Sequence, residues 1–147
     1  MKKFRFRLER VLSYRNLVRD DKKRELFESY GVLHRAEARL GNLNEAALRN
    51  KVDDQEPLPV ERFLLTGLFS TRLKSEIENQ RLAIIEAENQ AQEALKNYIE
   101  AAKDSKSLEM LRERKLHQYL EEYEREEEKQ RDEVAIQRGY RQQKAVR

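Results

Sequence analysis

Apolar residues recur along this chain at the spacing of one helix face. Leu12, Leu26, Leu33, Leu40 and Ala47 fall on one seven-residue series, interrupted at Arg19. Leu8, Ala36 and Leu43 fall on the series four residues earlier, which makes a two-column seam of coiled-coil type. This pattern predicts a first long helix over about residues 6–52. Its polar middle, RDDKKRE at 19–25, is expected to pair more weakly. The stretch DDQEPLPV at 53–60 then breaks the pattern, because Pro57 and Pro59 cannot sit inside a helix and each pushes its predecessor out of the α region. From about 61 to 143 there is no proline. Leu73, Ile77, Ile84, Ala87, Ala91, Leu95, Tyr98 and Ala102 drift along one face, and Leu108, Leu111, Leu116, Tyr119, Leu120 and Tyr123 continue it. Gly67 and the DSKS at 104–107 are possible irregularities.

The expected fold is all-α: two long helices forming an antiparallel coiled-coil hairpin, elongated, without a globular core, as a single domain over 1–147. At 1.5 Å per residue the helices would span roughly 70 Å and up to roughly 120 Å. A turn at 53–60 sets the start of the first helix near residues 105–112 and leaves the end of the second overhanging. Charge favours another register, with the basic N-terminus against acids at 121–133. Exposed ion pairs contribute only ~0 to 1 kcal/mol each, whereas a proline break is steric, so the turn is kept at 53–60.

The opening, KFRFRLERVL, reads two ways. With period two, Phe4, Phe6 and Leu8 share a face of a strand; with period 3.6, Phe4, Leu8, Val11 and Leu12 share a face of a helix. No other segment offers strand alternation with turn chemistry. The opening is therefore read as the ragged start of the first helix. Leu8, Val11 and Leu12 enter the seam, while Phe4, Phe6 and the surrounding cations stay available to a partner.

Composition agrees with long helices. Charged residues make up 40 % of the chain, mean hydropathy is −1.01, and there are four glycines and two prolines. Ala, Glu, Lys, Leu and Arg together exceed half of all residues, as in coiled coils. A disordered chain would not keep apolar spacing over such a length. The absence of cysteine excludes disulfides and thiolate metal sites. The N-terminus has no continuous apolar region of signal-peptide type, and no apolar run approaches the ~18 to 20 residues of a membrane span.

Net charge is +3 but unevenly spread. Residues 1–24 hold ten cations against Glu9, Asp20 and Asp21. Residues 121–133 hold eight acids against Arg125, Lys129 and Arg131, and 138–147 add four cations. Such blocks read as solvated faces or partner-contact surfaces.

Catalysis finds little support. His34 with Glu37, or His117 with Glu121, has a helical spacing that could hold a metal weakly, but a glutamate-rich chain produces such pairs by chance. No phosphate-loop, dinucleotide or nucleophile-elbow motif occurs. The expectation is no enzyme, no cofactor and no metal site. Nucleic acid is also disfavoured, because the acidic block opposes the basic opening and no reading motif is present. More informative is RFLLTGLFSTRL at 62–73, where Phe63, Leu64, Leu65, Leu68, Phe69 and Leu73 go most of the way round a helix. A two-helix seam covers one stripe only, so these residues form either an exposed docking patch or a plug that closes the turn.

Taken together, these features resemble the FliJ family of bacterial flagellar type III export. The resemblance rests on the cysteine-free length, the opening Phe4, Phe6, Leu8, Val11 and Leu12, and the mid-chain break. It rests also on LEMLRER at 108–114, followed by EREEEKQRDEVA at 124–135. It implies a coiled coil similar to the central stalk of rotary ATPases. Such a stalk binds the export ATPase ring (FliI-type), promotes its assembly, contacts the cytoplasmic domain of the export gate (FlhA-type) and escorts export chaperones. It also implies a cytoplasmic location, peripheral to the inner face of the membrane at the export apparatus. The family's gate contact, exposed apolar residues early in the second helix, falls by position on Phe69 and Leu73, with Ile77 and Gln80. The surfaces assigned to the ATPase ring are the basic opening, Phe4, Arg5, Phe6 and Arg7, and the acidic block, Glu126, Glu127, Asp132 and Glu133. A stalk of a related injectisome system and a generic coiled-coil scaffold remain as alternatives.

Overall fold

The computed structural model describes residues 3–50 and 59–145, with side chains to 141. The expected turn at 53–60 lies outside these residues except for Pro59 and Val60. Two helices account for the fold: α1, Glu9–Arg49, and α2, Val60–Ala145. No strand occurs among the described residues. Val60, assigned to the turn on sequence, is the first residue of α2. Pro59 stands immediately before it, and its carbonyl accepts from the Phe63 N–H at 3.0 Å, so the proline serves as the cap without surrendering a needed donor. Glu61 in the first turn of α2 and Glu9 in that of α1 complement the positive helix ends. Arg49 does the same for the negative end of α1.

The chain divides into two compact units. One comprises Val18–Ala101; the other comprises the residues up to Leu17 together with α2 from Ala102 onward.

In the Val18–Ala101 unit the helices run antiparallel. The Asn50 side-chain amide donates to the Thr66 carbonyl at 3.3 Å, and that of Gln80 donates to the Ala36 carbonyl at 2.9 Å. Stepping back along α1 from Asn50 to Ala36 thus steps forward equally along α2. The predicted α1 columns face inward: Leu26 is buried, and Leu33, Ala36, Leu40, Leu43 and Ala47 are half-buried. On α2 the inward columns advance in strict sevens. One is Thr66, Leu73, Gln80, Ala87, Ala94 and Ala101; the other is Ser70, Ile77, Ile84, Ala91 and Tyr98. Leu73, Ala87, Ala91 and Ala94 are buried.

By this register the small α2 residues lie across from the polar middle of α1. Alanine presents only a methyl group, which lets long polar side chains cover the seam with their stems while their charges reach water. Lys22 fits that pattern: it is half-buried, and its ammonium meets Glu25 at 2.8 Å. The polar stretch is therefore accommodated by alanines opposite rather than left unpaired.

In the other unit the start of α1 pairs with α2, again antiparallel. Arg15 meets Asp104 at 3.1 Å, Glu9 meets Arg112 at 3.2 Å, and the Ser105 hydroxyl donates to the Asn16 side-chain carbonyl. Ser105 is almost fully buried and Leu12 is buried beside this layer. The DSKS stretch is thus continuous helix, with the first of its two serines, Ser105, a seam residue seven positions after Tyr98. The start of α1 therefore lies by residues 104–112, the register expected from the proline break, and Glu9 sits by Arg112 rather than by the acidic block.

The opening residues differ from expectation. Helix α1 begins at Glu9, not residue 6, after a turn in which the Glu9 N–H donates to the Phe6 carbonyl at 3.2 Å. Before it, half-buried Phe4 and Phe6 alternate with exposed Arg5 and Arg7. The period-two pattern is therefore real, but it belongs to an extended arm lying against a helix rather than to a strand in a sheet. Leu8 and Val11 stay exposed; of the three residues expected in the seam, only Leu12 is buried.

Candidate docking surfaces

Two surfaces stand out, one in each unit. The first is the start of α2. Phe63, Leu64, Leu65 and Leu68 are each at least 59 % exposed, and Phe69 is 46 % exposed. Side chains this accessible do not form a plug. The four proposed gate-contact residues divide here. Phe69 belongs to the exposed set. Leu73, by contrast, is 5 % exposed, Ile77 is half-buried, and Gln80 is tied to the Ala36 carbonyl.

The expectation that Leu73 forms an exposed pair with Phe69 is corrected. The two residues are one turn apart, but Leu73, Ile77 and Gln80 lie on the seven-residue columns facing α1. Phe69 sits at the edge of the seam. The accessible patch runs the other way, through Leu65 and Leu68 to Leu64.

The second surface is the arm and the end of α2. Phe4 packs on Tyr119 with ring centroids 5.6 Å apart, and Tyr119 in turn neighbours Tyr123 at 6.4 Å. Phe4, Arg5, Phe6, Arg7 and Leu8 form with Leu111 and Lys115 an open groove, apolar on its floor and cationic at its rim. Arg5 and Arg7 are exposed, whereas Phe4 and Phe6, expected to be free for a partner, are half-buried. Leu111, Lys115 and Tyr119 were not singled out as site residues on sequence. The signal was available in the apolar series that reaches Tyr119 from Leu108.

Glu126, Asp132 and Glu133 are exposed; Glu127 is half-buried by its own helix neighbours. The Tyr123 hydroxyl donates to Glu127, and Arg131 meets its carboxylate at 3.2 Å. The tyrosine hydrogen bond, followed by the arginine, holds the Glu127 carboxyl below the usual range, against partial desolvation. The same bond raises the Tyr123 phenol. A depressed carboxyl favours the helical form above the unfolded pKa, and that contribution is lost as pH falls through the folded one. In a carboxyl carbon NMR titration Glu127 should therefore titrate below the ordinary glutamate range, and Tyr123→Phe should move it up. The arm and the acids are not brought together: among the described residues, the side-chain contacts of Glu127 lie within α2.

The two histidines form exposed pairs with Glu37 at 3.3 Å and with Glu121 at 3.2 Å. Among the described residues no cluster of three metal-ligating side chains occurs, and no helix is long and apolar enough to cross a membrane.

The paired helices and the aromatic-basic arm set against α2 accord with the opening and the second-helix motifs noted above. A family model described as flagellar FliJ protein matches residues 4–144, which is nearly all of the 147-residue chain. The chain belongs to the FliJ family. Comparison with curated proteins gave no match, and neither did comparison with solved structures. Membership in the FliJ family makes this a flagellar export-related coiled-coil protein, of a family of structural export proteins rather than known enzymes.

Proposed function

We propose that this FliJ-family chain is the coiled-coil stalk of a flagellar protein-export machine. It binds the ring-forming export ATPase, promotes ring assembly, links the ring to the export gate and escorts unloaded export chaperones. It works in the cytoplasm, at the inner face of the membrane where the export apparatus sits. The observation that carries this reading is the family match over 4–144, supported by two antiparallel seams that hold α1 and α2 together.

The ATPase is assigned to the unit bearing the arm and the acidic block. Arg5, Arg7, Glu126, Asp132 and Glu133 are accessible and offer charge of both signs to a pore lining. Phe4 and Glu127 position these groups through Tyr119 and Tyr123, and Phe6 lines the groove beside them. A stalk that touches the subunits of a ring unequally couples its own orientation to the state of each subunit. The gate is assigned to the apolar patch at the start of α2, with Phe69, Leu65 and Leu68 as contacts and Leu73, Ile77 and Gln80 as the seam residues that present them.

Replacing Leu65 and Leu68 by Ser tests the gate assignment. Binding to the gate's cytoplasmic domain should weaken at least tenfold in calorimetry, with helix content by circular dichroism and ATPase stimulation unchanged. Undiminished gate binding by a folded variant would place the contact elsewhere.

A further inference from the structure

Beyond Tyr119, on which Phe4 of the arm packs, α2 continues to Ala145. Every described side chain from 121 to 141 is exposed except Glu127, and the hydrogen bonds and ion pairs of this stretch lie within α2. Val134, Ile136 and Tyr140 are 47 %, 59 % and 69 % exposed. Helices in proteins take most of their stability from packing one face, and among the described residues this stretch shows no such face within its own unit.

The charge order of the stretch says what would cover it. Acids dominate 121–133, and cations follow at Arg138, Arg141, Lys144 and Arg147. Alongside a second copy running parallel, like charge meets like. Antiparallel, the acids of each copy lie beside the cations of the other, twice over, and Val134 falls near the two-fold axis. Tyr123, Glu127, Gln130, Val134 and Arg141 share one face at alternating steps of four and three, except for the final seven-residue step. An isologous contact of this kind closes as a dimer and leaves no open end.

We propose that this chain self-associates through residues 121–145 of α2, pairing antiparallel with the same stretch of a second copy. The contact is rich in charge and modest in apolar area, so it is reversible and salt-sensitive. Raising sodium chloride from about 0.05 to 0.5 M should weaken it by roughly tenfold or more. The contact shares Glu126, Asp132 and Glu133 with the surface assigned to the ATPase ring, and its test uses the purified chain alone, so failure of one assignment is distinguishable from failure of the other.

Sedimentation equilibrium of the full chain, with circular dichroism as the folding control, tests it. Wild type should be dimeric at about 100 µM in low salt. A variant with Glu126, Glu127 and Glu128 changed to Lys should be monomeric, and so should one with Arg138 and Arg141 changed to Glu. An equimolar mixture of the two variants should form a heterodimer, since one then presents cations where the other presents acids. A wild type that stays monomeric in low salt overturns the proposal. So does either variant remaining dimeric alone. A mixture that fails to pair, with both variants helical, overturns the antiparallel arrangement and places the cations that meet the acidic block elsewhere, the basic arm being the next candidate.

Discussion

Leu73→Ala is expected to lower the unfolding free energy by about 2 to 4 kcal/mol, whereas Phe69→Ala changes it by less than about 1 kcal/mol. The two residues are one helical turn apart and both apolar, yet they sit in different environments. Leu73 is 5 % exposed, on the column that continues through Gln80 to Ala87. Removing its side chain leaves a void between α1 and α2, and the loss includes contacts that relaxation does not restore. Phe69 already has nearly half its surface in water. Urea denaturation followed at 222 nm measures both. Equal losses would mean that the α2 face turned toward α1 has been misidentified. The contrast also bears on function: a double variant at these positions confounds weakened docking with weakened folding, so the docking test belongs on Leu65 and Leu68.

Ala91→Glu is expected to cost about 3 kcal/mol and to broaden the unfolding transition, while Glu88→Ala, on the solvent side of the same helix, changes little. Ala91 is 4 % exposed and flanked along the seam by buried Ala87 and Ala94. Glutamate there adds volume where the seam admits only a methyl group, and a carboxylate with no partner. The helices relieve this by separating, which exposes Leu26 and the stems of the polar residues on α1. Hydrogen exchange should show lost protection confined to the Val18–Ala101 unit. Uniform loss across both units, or none, would contradict the close packing of this stretch.

Much of this was legible in the sequence, for reasons that particular residues make plain. The columns of α1 stood out because large aliphatic residues occupy them, Leu12, Leu26, Leu33 and Leu40. Pro57 and Pro59 gave the break because their effect is steric and local. The α2 columns were harder to see, since their positions hold Thr66, Ser70, Gln80, four alanines and Ser105 between the few large residues. Reading by residue size gave a drifting face, while stepping by sevens from Leu73 and Ile77 recovers both columns. Leu73, Ile77 and Gln80 were placed at the gate by position within the FliJ resemblance, and the drifting face gave no sign that they lie on the columns turned toward α1. The arm was misread as helix for a related reason. Its alternation needed a surface to lie on, and that surface, Leu111 with Tyr119, is distant in sequence. The Asn16–Ser105 bond was not legible, because a serine on the seven-residue column and an asparagine distant in sequence do not announce that they meet.

The stalk assignment is tested most directly by ATP hydrolysis of the cognate export ATPase, titrated with this chain while ring assembly is followed by light scattering. Stimulation should saturate near one chain per hexamer, and it should fall when Arg5 and Arg7 are both replaced by Glu. A well-folded chain that neither binds the ATPase nor changes its rate would contradict the account, leaving a coiled-coil scaffold that serves another partner.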